Sequence, residues 1–331
     1  MRILKATGNK TFEVVDIPAT EEENNLVKLK VETIFPTSAD VAVYEGKLEI
    51  NYPIVPCRLA TAVVSEDRPE YGLKRGSKVL LNPYILNSAD EDGYTELGVY
   101  GINDDGFLRN FISLPIDNIV PFPEDVKEDE AVFVDVIAIA LNALNKLDVQ
   151  KGDYIAILGG SVLNLVVAQL ALYYQAIPIL ISNDDRYLEI AESHGVYYTI
   201  NDSRDNVQRR VLDITGGRMA DHTIIHALPG VSPIHISLLT AIGGNCVMVG
   251  LNSRYFPKMD VDLAQIAKKN LTFSGVAKGD KEFTSAVNVL AQKLVKFDGL
   301  IDKKVSLEDA PTLFKEMSED AQRYVCALIN V

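Results

Sequence analysis

Cysteine, histidine and positive charge are all in short supply in this 331-residue chain. The three cysteines, Cys57, Cys246 and Cys326, are odd in number and far apart, which excludes a disulfide scaffold and points to a reducing, cytoplasmic compartment. The four histidines are His194, His222, His226 and His235, so nothing before His194 offers an imidazole to a metal. Lys and Arg number 32 against 46 Asp and Glu, a net charge of −14. That balance argues against a nucleic-acid protein, because tracking phosphates requires Lys and Arg to replace counterions. It leaves room for a small anionic cofactor, which needs only one local helix end. Long apolar runs are missing too. The richest, Ala131–Leu144, contains Asp135 and Asn142 and is too short for a bilayer, and MRILKATGNK has no signal-peptide core. The expected partner is a small-molecule substrate, with neither nucleic acid nor membrane.

What is present is a soluble globular composition, 47% hydrophobic and 24% charged, at a length suited to about two domains. Two styles of sequence follow one another. From Met1 to Phe122 short strands are parted by Pro- and Gly-marked turns, and no helix of convincing length precedes Glu128. Val27, Leu29 and Val31 alternate with Lys28, Lys30 and Glu32, the period-two pattern of a half-buried strand. Lys78–Leu81 is another, closed by the turn signal Asn82-Pro83. After Glu128, apolar strands at Tyr154–Leu158, Pro178–Ile181, Thr223–Ala227, Cys246–Gly250 and Leu271–Gly275 alternate with helices. Those helices are read at Val162–Tyr174, Asp184–His194, Asn206–Ile214, Pro233–Ala241 and Phe283–Phe297. Such β–α repetition predicts a parallel, doubly wound sheet. A helix at Asp309–Met317 and a strand at Tyr324–Asn330 follow, and Asn87–Gly93 reads as a polar loop.

The first βα turn of that second region is where a dinucleotide pyrophosphate meets a helix N-terminus. Of the pattern G-x-G-x-x-G, Gly159 holds the first place, while Ser161 and Asn164 stand at the second and third. Ser161 still offers a hydrogen bond to phosphate; Asn164 is expected to crowd the helix–strand contact. A plain βαβ turn would look much the same. Gly159, Gly160, Ser161 and Val162 are the candidate cofactor-binding residues here. The following strand lacks the acid that bonds the ribose and ends Ile181-Ser182-Asn183, with Arg186 close behind. Ser182 and Arg186 therefore favour NADP over NAD, unless Arg186 simply pairs with Asp184, Asp185 or Glu189.

Six segments resemble a known family in order and spacing: TSADVAVYEG (37–46), YPIVPCRLATAVV (52–64), GSKVLLNPYI (76–85), GVYGINDDGFLRNFISLP (98–115), KGDYIAILGG (151–160) and GGNCVMVG (243–250). The chain resembles the medium-chain dehydrogenase/reductase superfamily, in its zinc-type polyol (sorbitol-like) branch, over essentially its whole length. The resemblance implies an α/β protein with a GroES-like β-barrel catalytic domain, residues 1–122 and 297–331, around a Rossmann domain, residues 123–296. It also implies a homo-oligomer, dimer or tetramer.

The family's zinc chemistry does not carry across. Its ligand positions correspond to Thr37, to the Cys57-Arg58-Leu59 stretch where a His ligand belongs, and to Asp135. Its relay hydroxyl corresponds to Ala39, and the cysteine lobe to the acidic loop Leu86–Leu97. Asp135 is the remaining good ligand, so no zinc is expected, catalytic or structural. Arg58 and Asp135 should converge on one centre, either as a salt bridge filling the lost site or as a guanidinium, held bidentately by Asp135, that anchors a substrate oxygen. Thr37 and Tyr44, the nearest phenol to the family's alternative tyrosine position, complete the candidate catalytic set; Tyr44 has the rival role of a packing side chain. Asp40 is read as a turn organiser, Cys57 as a buried filler, and His222 and His226 as strand packing. The expected function is zinc-independent hydride transfer between NADP(H), or NAD(H), and a carbonyl, alcohol or activated alkene. The rival is a non-catalytic relative acting as a dinucleotide sensor or structural partner.

Overall fold

The computed structural model describes residues 1–18, 25–48, 50–86, 97–226, 236–250 and 262–331. The loop Asn87–Gly93, the acidic stretch within Leu86–Leu97 and His235 lie outside them. In chain order the first elements are β1 (Arg2–Gly8), β2 (Thr11–Asp16), β3 (Leu26–Ile34), α1 (Ser38–Tyr44), β4 (Ala60–Val64), β5 (Lys78–Leu81), β6 (Tyr84–Leu86), β7 (Leu97–Val99), β8 (Phe111–Pro115), β9 (Ile119–Pro121), α2 (Glu128–Ala131) and α3 (Val134–Leu147). There follow β10 (Tyr154–Leu158), α4 (Val162–Tyr173), β11 (Ile177–Ser182), α5 (Asp185–Ser193), β12 (Tyr198–Asn201), α6 (Val207–Ile214), β13 (Ala220–His226), α7 (Ile236–Leu239), β14 (Thr240–Val249), α8 (Leu263–Lys269), β15 (Thr272–Val276) and α9 (Phe283–Ala291). The chain then forms β16 (Lys303–Ser306), α10 (Ala310–Glu319) and β17 (Ala327–Asn330).

Two compact units result: Met1–Asp135 with Ile301–Val331, and Val136–Leu300. In the first, β3 alternates buried and half-buried residues and pairs with three strands: β4, β8 and, at Thr33 and Ile34, β17. The sheet runs β16-β17-β3-β4-β5-β9 with β8 added on β3. Its core gathers Leu29, Val31, Val79, Leu81, Phe107 and Phe314. In the second unit all six strands are parallel in the order β12-β11-β10-β13-β14-β15. This is the doubly wound Rossmann sheet of an α/β protein. The chain winds outward from β10 to β12 and then returns to β13 on the other side, so β10 and β13 flank the topological switch point.

Several boundaries differ from the expectation, each for a physical reason. Residues 38–44 form a helix, since the Thr37–Asp40 capping pair stabilises a start that apolar periodicity alone does not announce. The strand β14 already begins at Thr240, so the helix expected over Pro233–Ala241 is described only at Ile236–Leu239. The helix from Phe283 stops at Ala291, followed by Lys293 at φ +53°, a conformation that cannot continue a right-handed helix. No helix among the described residues is long and apolar enough to cross a membrane.

Candidate functional site

Two centres, one in each unit, contain the candidate residues. The first is built on the segment before β4. Cys57 has φ +70°, a left-handed conformation that is rare for a side chain with a Cβ and persists only where its surroundings dictate it. They do. The Cys57 N–H donates to Asp40 Oδ1 at 3.0 Å, and Cys57 O accepts the Phe107 N–H at 2.7 Å. Pro56 O accepts from Leu108 at 3.1 Å and Val55 O from Gly106 at 2.6 Å. A Cβ on Gly106 would stand 2.2 Å from Cys57 O, so glycine is the residue that lets the two segments touch. Asp40 ties the other side: its Oδ2 accepts both the N–H and the O–H of Thr37 at 2.7 Å. Burial raises the Asp40 pKa, with the Thr37 hydrogen bonds and the Arg58 charge opposing. Burial, reinforced by Asp40, pushes the Cys57 thiol well up, so it is a protonated filler and no nucleophile.

This clamp projects Arg58 inward. Its residue is 7% exposed, and its Nη2 lies 4.0 Å from Asp135 Oδ2. That separation is an ion pair at its outer limit; the expected bidentate grip is not formed. Nε and Nη1 are buried and make no hydrogen bond. Asp135, in the first turn of α3, is 1% exposed, and its Oδ1 accepts a hydrogen bond of 2.6 Å from the Tyr84 hydroxyl. Tyr84 is held in turn: Asn118 Nδ2 donates to Asn82 O at 2.8 Å and to Tyr84 O at 2.9 Å.

The other two candidates, Thr37 and Tyr44, stand in structural contacts. Thr37 caps α1 through Asp40. Tyr44 packs among aromatic rings, 5.0 Å from Phe12 and 6.0 Å from Phe314, because α1 turns it into the apolar core. The phenol on the acid is Tyr84. It stands in the Asn82-Pro83-Tyr84 turn, and the signal available in sequence was a tyrosine fixed directly after that turn.

The second centre is the β10–α4 turn. Gly159 takes φ +105°, and Ser161 is the N-cap, its Oγ accepting the Asn164 N–H at 3.1 Å. The N–H groups of Val162 and Leu163, in the first helical turn, have no intrahelical acceptor and suit an anion. Asn164 does not crowd the turn. Its Nδ2 donates to Leu158 O at 2.8 Å and Gly159 O at 2.7 Å, stiffening it from within. Across the switch point, His226 Nδ1 lies 3.0 Å from Ser161 Oγ, and burial lowers the ring's pKa to about 4. His222, on the same strand, bonds Asp153 at 2.9 Å. A Cβ on Gly160 would meet Ser182 Oγ at 2.6 Å and the Tyr187 ring at 2.5 Å, so the end of β11 packs onto the turn. Arg186 pairs with Asp184, Nη2 to Oδ2 at 2.6 Å, the first of the alternatives open in the sequence.

The zinc-binding dehydrogenase family matches residues 163–292. Over those residues the chain is similar to the zinc-binding dehydrogenases, and relatives of the zinc-type alcohol and sorbitol dehydrogenases match most of its length. An uncharacterized zinc-type alcohol dehydrogenase-like protein of Haemophilus influenzae is 24% identical over 328 residues, covering 94% of this chain and 93% of that protein. Sorbitol dehydrogenase of Halalkalibacterium halodurans is 22% identical over 318 residues, 91% of each. A structure from Sinorhizobium meliloti 1021, assigned as a zinc-binding dehydrogenase and bound to NADP, superposes with a TM-score of 0.89 at 20% identity over 100% of this chain and 99% of that one. In this chain, however, the donor set at Arg58 does not fit zinc. A guanidinium has no lone pair to give, and Asp40 is consumed by Thr37 and Cys57. Among the described residues no group of three His, Cys, Asp or Glu side chains comes together to hold a metal.

Proposed function

We propose that this protein is a zinc-independent oxidoreductase that uses a nicotinamide dinucleotide, NADP(H) in preference to NAD(H), on a carbonyl, alcohol or activated alkene. The observation that carries the reading is the buried Arg58 guanidinium, whose Nε and Nη1 make no hydrogen bond. A buried donor left without an acceptor costs about 1–3 kcal/mol, a cost a protein tolerates where the donor serves a ligand. The dinucleotide, when bound, supplies or takes up the hydride. Gly159, Gly160, Ser161 and Val162 would hold its pyrophosphate at the α4 N-terminus, with Ser182 and Arg186 on the 2′-phosphate side. Arg58 binds the substrate oxygen and stabilises negative charge developing on it, the task a Lewis-acidic metal performs in zinc enzymes. Asp135 supplies the counter-charge 4.0 Å from Nη2, and the Tyr84 hydroxyl holds Asp135. In this reading the protein works in the cytoplasm as a homodimer or homotetramer.

Turnover is tested with metal-free protein, zinc content checked by elemental analysis, against aldehydes, ketones and enones with NADPH and NADH. Wild type should act without zinc and Arg58→Met should not. One zinc per chain, or unchanged turnover in Arg58→Met, would reject the reading. The spent hydroxyl of Thr37 favours a second reading, a non-catalytic dinucleotide sensor or partner subunit. Melting-temperature shifts with NADPH, unaccompanied by turnover across the panel, would select it.

A further inference from the structure

Ser161 carries the only hydroxyl of the β10–α4 turn, and His226 stands beside it. Side chains alternate along β13, so His222, Ile224 and His226 share one face. His226, the last residue of the strand, comes level with the turn because Ile225 before it pairs with Leu158, the last residue of β10. Its half-buried ring places Nδ1 3.0 Å from Ser161 Oγ. The hydroxyl has two lone pairs and one proton. One lone pair is taken, because Oγ accepts the Asn164 N–H at 3.1 Å as the cap of α4. The ring decides where the proton goes. A bare Nδ1 accepts it, and the hydroxyl then has none for a ligand. An Nδ1 that carries hydrogen donates to the second lone pair and leaves the hydroxyl proton to an anion at the α4 N-terminus. The titratable groups on the surrounding elements are engaged elsewhere. On β13 itself Asp221 accepts the Tyr154 N–H at 2.8 Å and His222 bonds Asp153 at 2.9 Å. On β14 Cys246 lies 3.3 Å from Thr240 Oγ1, and beyond β11 Asp184 holds Arg186 at 2.6 Å. The first turn of α4, Val162 to Leu165, carries none. Among the described residues burial alone moves the pKa of the His226 ring, down to about 4.

We propose that His226 is a positioning residue for a cofactor phosphate: it directs the single hydroxyl proton of Ser161 to the anion and takes up a proton from solvent as that anion binds. The proposal rests on the reading that the β10–α4 turn binds a dinucleotide. In the free protein burial keeps the ring neutral, and a neutral Nδ1 can take the Ser161 proton. A pyrophosphate brings two negative charges to the same helix end. Opposite charge nearby favours the protonated ring, so its pKa rises in the complex. An imidazolium carries hydrogen on both nitrogens, so Nδ1 must donate to Oγ, and the Ser161 proton goes to the phosphate oxygen. The proton that enters stays on the ring, and no bond of the dinucleotide forms or breaks. Because the complex binds more protons than its separate parts, affinity should rise as pH falls towards the free ring's value of about 4.

His226→Asn is the informative variant, because an amide can still donate to Ser161 but does not titrate. His226→Leu is a second reference without titration should the first fail to fold. Dissociation constants for NAD⁺ and NADP⁺ are measured by calorimetry on the full-length protein from about pH 8 to about pH 5.5, at one ionic strength because charge effects are screened by salt. Reading wild type against a variant with the same cofactor cancels the titration of the cofactor itself, that of the 2′-phosphate included. At the upper end His226→Asn should bind at least as tightly as wild type. At the lower end wild type should have gained roughly tenfold on both variants, the yield of a ring restored to its ordinary 6.5 in the complex. In Ser161→Ala most of that gain should vanish. Nitrogen chemical shifts of the His226 ring at about pH 6 should read neutral in the free protein and protonated in the complex. Parallel pH profiles in wild type and variants, a ring that stays neutral in the complex, or a full gain kept in Ser161→Ala would each overturn the proposal while leaving dinucleotide binding intact. Should wild type bind neither cofactor, the proposal falls together with the reading beneath it.

Discussion

At the scale of single residues the decisive question is whether Arg58 serves the fold or a ligand. Removing one member of a buried ion pair ordinarily costs about 3–5 kcal/mol, because its partner is left uncompensated. Here that effect is weak: the pair is 4.0 Å apart, and Asp135 keeps the Tyr84 hydroxyl. The orphaned Nε and Nη1 weigh the other way, and their removal relieves a burial penalty. Arg58→Met, which keeps the length of the side chain, should leave the urea unfolding free energy unchanged or raise it, while abolishing turnover. A loss above about 2 kcal/mol, a large fraction of a domain's net stability, would assign the guanidinium to the fold. Gly106 offers the complementary case. It needs no left-handed φ, so the objection to a methyl group there is purely steric, at 2.2 Å from a backbone oxygen. Gly106→Ala should cost about 3 kcal/mol or more, the upper end of overpacking penalties. Gly8→Ala, which meets nothing within 4 Å, should be close to neutral in the same denaturation series.

At the scale of elements, the βα turn of β10 and α4 couples a cap to a titration. Ser161 Oγ serves the Asn164 N–H and faces His226, whose burial holds its pKa down to about 4. A histidine kept neutral in the fold still takes a proton in the unfolded chain, so the unfolded state binds more protons between its ordinary 6.5 and about 4. Stability should therefore fall as pH drops through that window and level off below it. His194 is lowered by burial too and contributes in the same direction, so the test is a difference: urea unfolding against pH for wild type and His226→Leu, with the shallower slope expected in the variant. Equal slopes would contradict the neutral, half-buried ring. These elements also mark how far sequence reading reached. The parallel sheet was legible because apolar runs such as Tyr154–Leu158 alternate with helices, and the glycine turn because Gly159 punctuates it. The Ser161–His226 contact was not, since it joins residues 65 positions apart across the switch point. Family spacing was enough to expect Arg58 beside Asp135, whereas the Tyr84 contact to Asp135 had no such signal. Sequence distance from the family's alternative tyrosine position is a poor guide when a helix turns one tyrosine into the core and a distant turn delivers another.

At the scale of the whole molecule, the first unit is discontinuous in sequence, and its last thirty-odd residues are structural members of its sheet. The strand β17 pairs with β3 at Thr33 and Ile34 and carries β16 on its other side. From this tail Leu307, Leu313, Phe314, Leu328 and Ile329 are each at most 4% exposed. Burying a large apolar side chain stabilises by about 1.5–3 kcal/mol. Five of them amount to a contribution of the same order as a domain's entire net stability, about 5–15 kcal/mol. Phe314 is also the ring against which Phe12 packs, at 4.9 Å, so its loss opens the far side of the same core. The second unit draws its core from other residues, among them Leu158, Ile179, Val211 and Ile225. Removing residues 301–331 should therefore unfold the first unit and spare the second. Hydrogen exchange resolves the two: amides of β3 and β4 should lose protection in the truncated chain, while those of β10 and β13 keep theirs. Persisting protection along β3 would mean that the antiparallel pairing with β4 and β8 suffices without the tail, and the burial argument would be wrong in size. Loss of protection in β10 as well would mean that the two units fold as one cooperative body.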